Sequence, residues 1–205
     1  MNGNRRPLKS RSSAWAQYLA AALVRARASP NGISVVSIVF AAAAAVLLLR
    51  FATLAGLLGA ALCIQLRLLC NLLDGMVAIE GGRKSATGAL YNEIPDRIAD
   101  SLIIVALGYA ADAPALGWYG ALAAAVTAYI RALGGSLGQA HDFRGPMAKP
   151  HRMAVATLGC ILGAVEVHTT GTHWALTAAT WIIAIGATLT CATRTRAIAR
   201  RLRSH

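Results

Sequence analysis

Five of the chain's eight acidic residues, Asp74, Glu80, Glu93, Asp96 and Asp100, fall between positions 74 and 100, inside otherwise apolar sequence. An ionised group in such surroundings is costly unless it is paired, hydrated or bound to a metal, so an acid cluster there reads as a site. Asn71, Asp74, Gly75 and Ala78 recur at i, i+3, i+4 and i+7 and share one helix face. Gly88, Asn92, Asp96 and Asp100 step by four along a second helix. A short segment carrying Arg83 and Lys84 joins the two, so the helices should pack antiparallel with these faces meeting. The expected result is a pocket of carboxylate and amide oxygens, which suits Mg²⁺ or Mn²⁺ and, through the metal, phosphate groups. Gly75, Ala78 and Gly88 leave room there for a bulky ligand, although small residues on membrane helices also serve plain helix packing. Glu93 and Asp100 lie within helical reach of Arg97, which offers an ordinary ion pair for both. Asp74 and Asp96 have no basic neighbour at i±3 or i±4 and carry the functional reading. Pro95 frees the carbonyl of Tyr91, either as a further oxygen or as a simple kink.

The elements that hold these residues follow from composition. Of 205 residues 57% are hydrophobic and only 14% charged, with mean hydropathy +0.55, against about 25% charged in an ordinary soluble domain. The apolar residues form long blocks, which predicts an all-α integral membrane protein. Six spans are expected near 33–49, 53–79, 86–110, 115–139, 152–168 and 173–193, with the Gly-rich end of the fourth leaving its exit open. Residues 13–28 place Trp15, Leu19 and Leu23 on one helical face, with Arg25 and Arg27 at the end. This predicts an amphipathic interfacial helix anchored by Trp15 and Tyr18. Three regions result: a basic N-terminus with the juxtamembrane helix (1–28), a six-span domain (29–193) and a basic tail (194–205).

Net charge is +12, but its placement excludes a nucleic-acid face. The basic residues gather at both termini and in the loops after the second and fourth spans. The loop after the first span carries Arg50 alone, and those after the third and fifth carry no base. This alternation predicts six crossings with both termini and the acid cluster cytoplasmic, in a bacterial inner (plasma) membrane. Cys63, Cys70, Cys160 and Cys191 lack CxxC spacing and read as small buried hydrophobes. No cleavable signal peptide is evident.

A second set of candidates is basic. Arg131 lies inside the fourth span, where an unpaired guanidinium is expensive, and Lys149 and Arg152 open the fifth. Together they could hold a phosphate on an acceptor, and Lys149 and Arg152 read equally well as positive-inside anchors. His141 and His151 flank the same loop as surface residues.

The spacing Asn71-x-x-Asp74-Gly75-x-x-Ala78-Ile79, eight residues, then Gly88-x-x-x-Asn92-x-x-x-Asp96 resembles the CDP-alcohol phosphotransferase motif D-x-x-D-G-x-x-A-R, eight residues, G-x-x-x-D-x-x-x-D. An amphipathic leading helix, Pro30-Asn31-x-x-Ser34 before the first span, and Tyr129-x-Arg131 in the fourth extend the resemblance over nearly the whole chain.

The resemblance implies metal-dependent transfer of a phosphatidyl group from a CDP-diacylglycerol-type donor to a small alcohol, releasing CMP, in phospholipid biosynthesis. It implies Asn71, Asp74, Asn92 and Asp96 as metal ligands, Asp96 as general base, and CDP lying against Asp74, Gly75, Ala78 and Gly88. A homodimer is also implied. Two motif acids are amides here, and Glu93 and Asp100 are the replacements at hand; sliding the pair by one turn instead makes Asp96 and Asp100 the last two acids. Ile79 stands where the motif has Arg, and Arg83 or Lys84 is nearby to supply that contact. If Arg131, Lys149 and Arg152 do hold a phosphate, an acceptor such as glycerol phosphate is favoured. The competing readings are an inactive relative that binds CDP-lipid or nucleotide, and a small cation carrier. The latter fits poorly with acids near one membrane surface and not at mid-depth.

Overall fold

The computed structural model describes residues 13–82, 86–140 and 142–203, and these form seven α-helices and no strand. They are α1 (Ala14–Arg25), α2 (Pro30–Arg50), α3 (Leu54–Glu80), α4 (Gly88–Ala110), α5 (Pro114–Ser136), α6 (Lys149–Thr169) and α7 (Trp174–Arg203). The expected juxtamembrane helix and six long helices are all present, close to their expected positions. Three of them, α2, α3 and α7, are long and apolar enough to cross a membrane. The others, at 23, 23 and 21 residues, are comparable in length and carry much of the site's polar chemistry.

Local chemistry sets most helix ends. Ser29 accepts a hydrogen bond from Gly32 N (3.4 Å) ahead of Pro30, and Thr53 accepts one from Gly56 N (3.3 Å). Gly138, with φ 76°, supplies the left-handed residue that follows α5 and resolves its uncertain exit. Glu166 accepts from the backbone N–H groups of Trp174 (3.1 Å) and Ala175 (2.8 Å) and from the Thr172 hydroxyl (2.7 Å). It thereby ties the end of α6 to the start of α7.

The six long helices close into a ring in which α2 packs on α3 and α4, α3 on α6, α6 on α7, α7 on α5, and α5 on α4. Inside it lies an apolar core including Leu48, Leu57, Ile64, Ile103, Leu107, Cys160 and Ile183. Outside, Val39 (63% exposed), Leu62 (60%) and Leu122 (64%) face outward, a distribution that lipid stabilises and water would not. The four cysteines are free.

One boundary and one helix face differ from the sequence reading. Helix α7 does not stop near residue 193 but runs to Arg203, so the basic tail is mostly helix and Arg194 is buried. In α1 the face seated on α3 is formed by Ala16 and Ala20, with Leu19 and Leu23 at its flank. Trp15 and Tyr18 point outward, as anchoring side chains would.

The α4–α5 crossing depends on two glycines. A Cβ on Gly108 would stand 2.4 Å from Gly117 Cα, and one on Gly117 would stand 2.8 Å from Gly108 Cα. Gly108→Val is therefore expected to cost about 1–3 kcal/mol or more, read as a lower unfolding temperature in detergent. Gly59→Ala, whose methyl would meet only the flexible end of Leu47 at 3.1 Å, is expected to cost less.

Candidate active site

The acids of α3 and α4 meet at one end of the ring, as their spacing requires. Asp74 is 5% exposed and accepts a 2.6 Å hydrogen bond from the Ser34 hydroxyl of α2. Asp96 faces it from α4, near enough for its charge and that of Lys149 to act on Asp74. Lys149, the first residue of α6, ion-pairs with Asp96 Oδ2. Arg97 approaches the same oxygen at 3.7 Å.

A buried ion cluster lies beneath. Arg67, fully buried in α3, donates from Nη2 to Asp100 Oδ1 (2.6 Å) and to Asp96 Oδ1 (3.3 Å) and carbonyl (3.4 Å). Arg152, 1% exposed, donates to Asp100 Oδ2 (2.8 Å) and to the Met147 carbonyl (2.9 Å). Both oxygens of Asp100 are thus occupied by arginines. Arg152 also reaches the Thr127 hydroxyl of α5 at 3.5 Å, and Arg194 of α7 donates to the Thr127 carbonyl at 2.7 Å. Side-chain bonds therefore link α3 to α4, α4 to α6, α6 to α5 and α5 to α7.

The remaining candidates fall into place around this cluster. Asn71 sits one turn from Arg67 on the same face of α3, and its Nδ2 is buried without a partner. Gly75, Ala78 and Gly88 are half-buried, whereas Asn92 is exposed on the first turns of α4, apart from the buried acids. Glu93 pairs with Arg131 (2.5 Å), which also lies over the Phe143 ring at 5.7 Å. Arg83 and Lys84 lie outside the described residues, as does His141.

Among the described residues no three His, Cys, Asp or Glu side chains converge in a way that could hold a metal. Glu93 and Asp100 accordingly do not join Asp74 and Asp96 as a replacement acid set. One faces Arg131 and the other is closed between Arg67 and Arg152. The sliding alternative, which paired Asp96 with Asp100 as ligands, meets the same geometry. The phosphate-holding set is also divided: Arg152 is a buried structural partner, Arg131 is paired, and Lys149 alone touches an acid of the central pair.

Comparison with known proteins agrees with the resemblance read from the sequence. Over 190 residues the chain is 27% identical to a phosphatidylinositol phosphate synthase of Mycobacteroides abscessus, covering 88% of this chain and 81% of that protein. That relative is a member of the CDP-alcohol phosphotransferase family, whose motif spacing this chain resembles. The fold agrees with two crystal structures of the Mycobacterium tuberculosis phosphatidylinositol phosphate synthase. The one with CDP-DAG bound superposes at TM-score 0.72 with 21% identity, covering 91% of this chain and 94% of that one. The one in complex with manganese and citrate superposes at TM-score 0.73 with 22% identity, covering 89% and 88%. No family model matches the sequence.

Arg67 is the residue the sequence reading passed over. Its signal was the one that singled out Arg131, a lone guanidinium within an apolar helix. No acid stands at i±3 or i±4 of Arg67, so its partners had to come from another helix. Asp142, whose side chain is 2% exposed and pairs with Arg144 and Arg201, was also passed over because it lies in a loop.

Asp100→Asn is expected to destabilise the protein by about 3–5 kcal/mol, because two buried guanidinium groups lose their shared counter-charge. Glu93→Gln, at a partly exposed pair, is expected to cost about 1 kcal/mol or less. Thermal unfolding of both variants in the same detergent checks the contrast.

Proposed function

We propose that this protein transfers a phosphatidyl group from a CDP-diacylglycerol-type lipid to the hydroxyl of a small alcohol, releasing CMP, at the cytoplasmic face of a membrane that it crosses six times. The convergence of Asp74 and Asp96 beside Lys149, in a fold shared with a CDP-DAG-bound synthase, is the observation that carries this reading.

The donor set fits a hard divalent cation. Asp74 and Asp96 offer carboxylate oxygens, and Asn71, one turn before Asp74 on the same face of α3, offers an amide oxygen. With two acids and an amide, phosphate oxygens and water would complete the shell. Bound Mg²⁺ or Mn²⁺ would supply positive charge to the diphosphate and stabilise the departing CMP.

The chain's own residues perform the remaining work. The acceptor oxygen forms a bond to the phosphatidyl phosphorus, the bond from that phosphorus to the CMP oxygen breaks, and the hydroxyl proton passes to Asp96. Asp96 is available for that proton only when Lys149 turns away from it. Gly75 and Ala78 leave the α3 backbone open to the nucleotide. Lys149, once released, and Arg131 stand at the edge of the site where a phosphorylated acceptor such as glycerol phosphate would place its charge.

Charge balance favours joint binding. Asp74, Asp96 and Asp100 give −3, and the bases that pair with them, Arg67, Arg97, Lys149 and Arg152, give +4, so the internal sum is +1 and leaves no negative excess for a cation. A bare dication disturbs that balance, whereas a dication accompanied by a diphosphate leaves it nearly unchanged. Mn²⁺ affinity, measured by electron paramagnetic resonance, should accordingly rise about tenfold or more when CDP is present, a coupling of about 1.4 kcal/mol. Equal affinity with and without CDP would contradict this account.

The direct test is CMP release from CDP-diacylglycerol with Mg²⁺ or Mn²⁺ over a panel of alcohols and phosphorylated alcohols. Acceptor-dependent release should fall by about 10²–10⁴-fold in Asp96→Asn, the span of a lost general base, with CDP-lipid binding retained. Failure of the parent protein both to bind and to turn over CDP-lipid would sink the proposal.

A further inference from the structure

The end of α7 carries a second basic feature that the transferase reading does not use. A cavity of about 390 Å³ opens between the 142–146 loop and the last turns of this helix, lined by Arg144, Thr193, Arg196, Ala197, Arg200 and Arg201. Four of its six lining residues are arginines, and α7 contains no acidic residue to offset them. A positive helix C-terminus and a basic cytoplasmic end both follow from general rules. Neither rule requires the guanidinium groups to surround one cavity.

The 142–146 loop is built to hold them there. Asp142 Oδ1 accepts from Arg144 N (2.9 Å) and Arg144 Nε (3.2 Å), and Oδ2 accepts from Arg201 Nη2 (3.1 Å). One buried carboxylate thus fixes an arginine on each wall of the cavity. The carbonyl of Arg144 accepts from Nε of buried Arg194 (2.8 Å), and Met147 N donates to the Thr190 hydroxyl (2.9 Å). Gly145, at φ 117°, lets the loop lie against α7, since a Cβ there would stand 2.4 Å from Thr190 Cγ2. Arg196 and Arg200 are exposed one turn apart on α7, and no described acid forms an ion pair with either. Like charges at that spacing repel by a few tenths of a kcal/mol, and a bound anion would relieve this.

We propose that this cavity binds a phosphate group, held by Arg144, Arg196, Arg200 and Arg201 at a site separate from the Asp74–Asp96 pair. Planar guanidinium groups on several sides suit the oxygens of a phosphate, each able to donate in pairs. Two sources share that chemistry: the headgroup of an anionic phospholipid in the adjoining leaflet and a free phosphate in solution. The inference does not rest on the transferase reading, because occupancy of the cavity is measured without turnover.

The test uses the full chain in a neutral detergent at constant ionic strength. Three probes are titrated: inorganic phosphate, dihexanoyl phosphatidylglycerol and dihexanoyl phosphatidylcholine. Unfolding temperature and intrinsic tryptophan fluorescence are the readouts. Saturable binding of phosphate or of the phosphatidylglycerol is expected, weakened at least tenfold in Arg196→Gln/Arg200→Gln and unchanged in Arg25→Gln/Arg50→Gln. Binding of the anionic lipid alone assigns the headgroup as the ligand, and binding of inorganic phosphate as well assigns the phosphate group itself. Both arginine variants keep the buried ion pairs and should fold. A response that chloride reproduces, that the phosphatidylcholine matches, or that is equal in both double variants overturns the site.

Discussion

The carboxylate of Asp100, closed between Arg67 and Arg152, is the interaction around which the rest of the structure is arranged. Its two oxygens face arginines from α3 and α6, at 2.6 and 2.8 Å, from a position that is only 2% exposed. Charges at such depth persist only when each has a partner with good geometry. That requirement fixes the rotation of three helices at once, because any turn of α3, α4 or α6 about its axis would leave a guanidinium or carboxylate unpaired in apolar surroundings. Apolar packing among alanines and leucines is less demanding, since it tolerates many registers. The ion cluster supplies a constraint that the alanine-rich core does not.

From that fixed point the active-site geometry follows. Asp96 lies one turn from Asp100 on α4, so holding Asp100 also sets where Asp96 faces α3. Arg67 touches both acids and cannot move without disturbing the two together. Lys149 lies three residues before Arg152 on α6, and the bond from Arg152 to Asp100 brings the lysine ammonium to Asp96. Ser34 completes the arrangement from α2 by holding Asp74. Residues that touch the substrate in the proposed mechanism are thus positioned by residues that do not.

Much of this was legible in the sequence, and what was not has a common cause. The helices, their order and the meeting of the Asp74 and Asp96 faces follow from periodicities within single segments, which a sequence displays directly. The partners of the buried charges do not, because pairing between helices depends on relative rotation and depth. Asp100 was weighed against Arg97, its neighbour along the helix, whereas its actual partners are 33 and 52 residues away in sequence. Arg131 shows no partner along its own helix and suggests a phosphate as its counter-charge, whereas Glu93 of α4 answers it. The end of α7 was misplaced because a run of arginines resembles a solvated tail, although Arg194 is buried and bonded to two carbonyls.

Asn71 and Arg67 are best understood together. Arg67 has no acid at i±3 or i±4 on α3, and the residue one turn on is Asn71. A carboxylate at 71 would offer the guanidinium a partner on its own helix, without any reach to α4. It would also add a fourth negative charge to a cluster that already holds three acids. With an amide there, Arg67 is committed across the interface to Asp96 and Asp100, and the helices are locked through it. The amide at position 71 and the buried guanidinium at position 67 are therefore parts of one electrostatic arrangement. In it, part of the positive charge beside the proposed diphosphate site is built into the chain.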